Sequence, residues 1–215
     1  MKLVLLALAA CSGSPASHTG AGPDAAPSSH PDAPAEHADA PPASFARVFA
    51  THTVYMGAFG GLADGDQLCN SAAETAGLGG TWKAWLSDST SNAIDRLADV
   101  GPWYLVDEAT EVFAGKAALV ESPLVAIDHD EYGHAIAQSN PFNVEGAWTG
   151  TLQDGTAGAS DPSIGQGADC ADWKTAFGET AMFGNVLDTS TWTNVGAGQL
   201  ALCDEEQEHL YCFEQ

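Results

Sequence analysis

Between Asp128 and His134 the chain reads Asp-His-Asp-Glu-Tyr-Gly-His, which gathers three carboxylates and two imidazoles in one short run. Hard oxygen donors at that density are what a Ca²⁺ ion takes, so Asp128, Asp130, Glu131 and His134 are the candidate metal ligands and Ca²⁺ the candidate cofactor. An EF-hand loop, however, needs an oxygen ligand at its fifth position and a bidentate Glu at its twelfth, where this chain has Tyr132 and Ser139. A solvated acidic loop is the commoner outcome for such a run. Trp148, set between Gly146 and Gly150, is the candidate for an exposed binding surface, although burial is the usual fate of tryptophan. Catalytic patterns are missing from the sequence: it contains no Gly-x-Ser-x-Gly elbow, no His-Glu-x-x-His and no Gly-rich phosphate loop ending in Lys. Pairs of Asp and Glu would suit a glycosidase, but with 29 acidic residues such pairs arise everywhere by chance.

The elements that must position these residues are legible in their periodicities. From Asp66 to Ser87, Cys69, Ala72, Ala73 and Ala76 fall at helical spacing and draw one narrow apolar stripe, which Asp66 would cap and Gly77 would end. After Gly80 the period becomes two, with Trp82, Ala84 and Leu86 on one side and Lys83, Trp85 and Ser87 on the other, so the helix feeds a strand. Arg47 to Met56 alternates and reads as the first strand, with His52 as a strand-face or core residue. Ser89 and Ser91 offer caps for a second short helix carrying Ile94 and Leu97, stopped by Gly101-Pro102. Trp103 to Val106 is strand-like, Pro123 to Gly165 is mainly loop, and Leu210 to Phe213 lies in a final strand.

Composition bounds the partners. Acidic residues outnumber basic ones 29 to 6, a formal charge of -23, which repels phosphate backbones and sulfated polysaccharides; nucleic acid and heparin-type polyanions are therefore excluded as expected partners. Residues 1–10 carry Lys2 and then an apolar run too short to span a bilayer, which is the pattern of a signal peptide. The run ends Leu8-Ala9-Ala10-Cys11 and resembles the bacterial lipobox, which implies lipidation at Cys11, with Ser12 resembling the outer-membrane sorting signal of enteric lipoproteins. Residues 11–44 form a Pro/Ala-rich tether holding seven of the eleven prolines and too few large apolar residues for a core. Of the five cysteines, removing Cys11 leaves Cys69, Cys170, Cys203 and Cys212, an even number that in an exported chain predicts two disulfides with three pairings open.

Cys69 to Ser87 is similar to the helix and strand of endostatin, the C-terminal domain of collagens XV and XVIII, in which a cysteine-bearing helix leads into Gly-Leu-x-Gly-Thr-aromatic-basic-Ala-aromatic-Leu-Ser. The chain resembles still more the bacterial lipoprotein relatives of that domain, through Trp148 to Thr151, Asp154 to Thr156, Cys170 to Trp173 and the closing Leu-Tyr-Cys-Phe-Glu-Gln. The resemblance covers Arg47 to Gln215. It implies a C-type-lectin-like domain over residues 45–215, an α+β fold of short helices on a mixed, mostly antiparallel twisted sheet with long loops. It also implies disulfides Cys69 to Cys212 and Cys170 to Cys203. The endostatin heparin face and zinc site do not carry over, since the domain's basic residues are scattered and Pro41 to Phe45 stands where the zinc histidines would be. The resulting expectation is an exported lipoprotein of the bacterial envelope, at the outer membrane. Held there by its lipid, it displays a non-catalytic binding or adhesion module for an unknown protein or glycan. A structural envelope lipoprotein and an extracellular glycan hydrolase are the alternatives.

Overall fold

The structure, a computed structural model, describes residues 45–139, 144–160, 167–196 and 199–215. The signal peptide, Cys11 and the tether lie outside these residues.

The strand β10, Gln207–Glu214, organises the sheet. It pairs antiparallel with β1 (Ala46–Ala50), setting Val48 opposite Phe213 and Ala50 opposite Tyr211, and antiparallel with β3 (Trp82–Ala84), setting Ala84 opposite Cys212. Toward its beginning it meets β2 (Tyr55–Met56) antiparallel and β6 (Gly146–Trp148) in parallel. Beyond β1 lie β4 (Trp103–Tyr104) and β5 (Glu111–Phe113), and beyond β6 lies β8 (Phe183–Asn185), which completes an eight-stranded mixed sheet in which antiparallel pairs predominate. A small second sheet joins β7 (Thr180–Ala181) to β9 (Ala201–Leu202).

Alternation along the central strands sends successive side chains into two cores. Val48, Ala50, Trp85, Ala147, Tyr211 and Phe213 pack on one face with Trp103, Phe113 and Trp192. Phe49, Trp82, Ala84, Leu86, Trp148, Leu210 and Cys212 pack on the other with Cys69, Ala73 and Trp173. A sheet buried on both faces explains why these strands read as nearly continuous apolar runs rather than as a half-polar alternation. All six tryptophans are buried, and each indole N–H donates to an oxygen, as in Trp85 Nε1 to Thr193 Oγ1 at 2.8 Å and Trp173 Nε1 to Ser87 O at 2.8 Å. Trp148 is among them, 0% exposed with Nε1 donating to Tyr55 O, so this ring is core and does not line a binding surface.

The helix α1, Leu62–Thr75, begins at Gly61 rather than at Asp66. Asp66 sits inside the helix because its carboxylate has stronger partners across the interface: Oδ1 accepts Ala84 N–H at 2.9 Å and the Arg96 guanidinium at 2.6 Å. Asn70 adds a reciprocal pair with the backbone of Trp82, at 2.7 and 2.9 Å, so the polar side of α1 fixes the register of β3. Gly65 allows that approach, since a Cβ there would lie 2.7 Å from Leu86 Cδ1. The second helix, α2 (Ala93–Arg96), follows Asn92 rather than either serine; Ser89 instead hydrogen-bonds Asp172.

Disulfides join Cys69 to Cys212, tying α1 to β10, and Cys170 to Cys203. Cys170 opens one turn of left-handed helix, with φ of 51, 52, 59 and 62° from Cys170 to Trp173. Asp169 Oδ1 and Asp172 Oδ1 hold that turn through Asp172 N–H and Ser89 respectively.

Candidate functional site

The sequence predicts one strand from Arg47 to Met56, but the chain bends after Ala50. Thr51 Oγ1 donates to Thr53 O, and the His52 N–H turns aside to donate to Glu131 Oε2 at 2.7 Å, which takes both groups out of the ladder. His52 is consequently not a strand-face or core residue: its side chain is 65% exposed. Opposite the bend, residues 128–136 fold into a tight hairpin, closed by Asp130 N–H to His134 O and Ile136 N–H to Asp128 O and tied to β1 by Ala50 N–H to His129 O. The bend, this hairpin, Glu145 just before β6 and His209 of β10 surround a cleft of about 330 Å³.

Asp130 anchors the cleft. Its side chain is 2% exposed, Oδ1 accepts the N–H groups of Tyr132 at 3.0 Å and His134 at 2.8 Å, and Oδ2 lies 2.8 Å from His52 Nδ1 and 3.5 Å from His134 Nδ1. Burial alone would push this carboxyl up, but the His134 and Tyr132 N–H groups, the His52 ring and the charge of His134 outweigh it and hold it below the usual aspartate range. One buried carboxylate thus steers two exposed imidazoles.

His209 is buried, with Nδ1 against Thr51 O. A carbonyl only accepts, so in the neutral ring Nδ1 carries the proton and Nε2 presents a lone pair. Burial lowers the His209 pKa, partly countered by Thr51 O and the charges of Glu145 and Glu131, and so favours that neutral form. Nε2 has no hydrogen-bond partner among the described residues; Glu145 Oε1, at 3.8 Å, is beyond hydrogen-bond reach.

Glu145 also borders a second cleft, of about 410 Å³, with Ser139, Phe183, Glu206 and Glu208. There the Glu208 carboxyl is pushed up to about 8, first by burial and then by the charges of Glu206 and Glu145, against a Gly146 N–H that favours the carboxylate. A third cleft, about 500 Å³ beside Phe45 and Val100, has Glu214 as one of its two acids, and Arg47 already occupies that carboxylate through a two-pronged contact at 2.8 and 2.7 Å.

The four candidate calcium ligands do not converge. Asp130 and His134 line the His209 cleft, Asp128 Oδ1 pairs with His129 Nδ1 at 2.7 Å, and Glu131 faces His52 N–H. The hairpin is also less solvated than the sequence implied, with Asp130 and Glu131 only 2% and 5% exposed. Among the described residues no group of three or more His, Cys, Asp or Glu side chains is placed to hold a metal ion. The sequence reading missed His52, Glu145 and His209, which stand in separate parts of the chain. The one local signal was a histidine directly before the apolar run Leu210 to Phe213 of β10.

In comparisons with known proteins, no family model matches the chain and no curated protein matches it. No helix among the described residues is long and apolar enough to cross a membrane.

Proposed function

We propose that this protein is an outer-membrane lipoprotein, anchored through Cys11, that displays a C-type-lectin-like module of the endostatin type as a non-catalytic binding or adhesion domain. The fold class supports that reading: a mixed sheet with few short helices, whose first and last strands lie side by side, and two disulfides in the pairs the resemblance implied. The observation that carries the binding function is the cleft between His52, Asp130, His134, Glu145 and His209, where the buried His209 Nε2 lies 3.8 Å from Glu145 Oε1 and accepts no hydrogen bond among the described residues. Buried polar atoms are nearly always paired, and an unpaired acceptor behind a cleft wall is a place for a ligand donor. Screening the purified chain on glycan and protein arrays tests this. The expected result is a ligand whose binding perturbs the NMR signals of His52, His134 and His209, and a ligand that perturbs only distant residues would refute it.

A second reading has its own support. Glu208 keeps its proton at neutral pH beside Glu145, which is the pairing of an acid and a carboxylate that glycoside hydrolysis uses. Turnover of a glycan panel that disappears in Glu208→Gln would favour the hydrolase; absence of turnover leaves the binding module.

A further inference from the structure

We infer that the His209 cleft takes a primary ammonium group, seated between His209 Nε2 and the Glu145 carboxylate; this rests on the binding-module reading and names its ligand class. Two acceptors lie 3.8 Å apart, the lone pair of a buried neutral imidazole and Glu145 Oε1; among the described residues Nε2 has no donor, and the Ser139 N–H and hydroxyl that donate to the Glu145 carboxylate both go to Oε2. A nitrogen at about 2.9 Å from each closes that triangle with two ordinary hydrogen bonds. A ligand hydroxyl brings one proton and satisfies one acceptor, whereas an ammonium brings three and also neutralises the carboxylate. The Asp130 carboxylate on the same wall and the net charge of -23 add negative potential that draws cations in. A metal ion would need a further ligand in reach, and no such trio stands among the described residues. The chemistry is that of a lysine side chain, an N-terminal amine or an unacetylated amino sugar.

The test titrates the full chain with n-butylammonium while following the His209 ring nitrogens by long-range ¹H–¹⁵N NMR, with N-butylacetamide and tetramethylammonium as controls and Zn²⁺ as a separate arm. Saturable movement of the His209 Nε2 resonance with n-butylammonium alone is expected. Two variants should weaken that binding by about tenfold or more, since each removes a hydrogen bond that involves charge. His209→Asn retains an amide N–H for Thr51 O while deleting the Nε2 acceptor, and Glu145→Gln removes the carboxylate charge while keeping the His209 ring in place. An absent or unsaturable shift means that the cleft holds only water and overturns the inference. So does an equal response to either control, or tight Zn²⁺ binding that engages the same nitrogens. An array ligand without an amine that occupies the cleft would remove the ammonium assignment and leave the binding module standing. If no ligand perturbs the cleft at all, both fall.

Discussion

Replacing Glu208 by Gln should make the protein more stable in alkaline solution, because the native fold holds this carboxyl in its neutral form. The side chain lies where a Cβ on residue 146 would sit, packed on the backbone of β6. That placement strips its water, and Glu206 and Glu145 add repulsion, moving it from an ordinary 4.5 to about 8. An acid whose folded pKa is raised binds an extra proton in the native state, so its contribution is undiminished below about 4.5, declines as pH rises, and is fully lost above about 8. At about 1.4 kcal/mol per pH unit the window gives a ceiling near 5 kcal/mol, and screening of this partly exposed group brings the expected effect to the order of 2–3 kcal/mol. Gln has the size of the neutral acid and still accepts the Gly146 N–H. Thermal unfolding of both proteins at about pH 4 and about pH 9 should therefore give matching midpoints in acid and a Gln variant higher by roughly 5–10 °C in base. A difference that does not change with pH, or a less stable variant at about pH 9, would refute the assignment of a neutral Glu208.

Three further outcomes follow from the packing. Removing the Cys69–Cys212 bond in a double Ala variant should cost up to about 5 kcal/mol, because it closes a loop of 143 residues; denaturant titration against the parent measures it. Asp130→Asn should destabilise the protein by about 1–3 kcal/mol at neutral pH through its buried hydrogen bonds. Since the Asp130 pKa is depressed, that loss should shrink as acid protonates the parent, which unfolding across the acid range would show. Ala171→Gly should stabilise by about 1 kcal/mol, because φ of 52° is costly for alanine and free for glycine, and a rise in thermal midpoint is the readout.

What could be read from the sequence followed short-range periodicity. The stripe through Cys69 and Ala73 announced α1 because helical spacing survives any tertiary context, and the alternation through Trp82, Ala84 and Leu86 announced β3. Asp66 was misplaced as a cap since its choice of Ala84 N–H and Arg96 depends on an interface that spacing cannot reveal. The alternation of Arg47 to Met56 continues past Ala50, and the bend comes from the Thr51 hydroxyl on Thr53 O and the pull of Glu131 on the His52 backbone, neither of which spacing reveals. The cleft was hidden for a related reason: positions 52, 130, 145 and 209 meet through pairing around β10, and no repeat or spacing links them.

Among the described residues, the strand at the middle of the sheet comes after every other strand in chain order. Its neighbours β1, β3 and β6 therefore wait, each with an edge unfilled, until residues 207–214 arrive, and Cys69 waits with them for its partner sulfur. Such distant pairings impose a heavy closure cost and a slow, late, concerted assembly. Deleting residues 207–214 would thus leave β1, β3 and β6 without the strand that joins them.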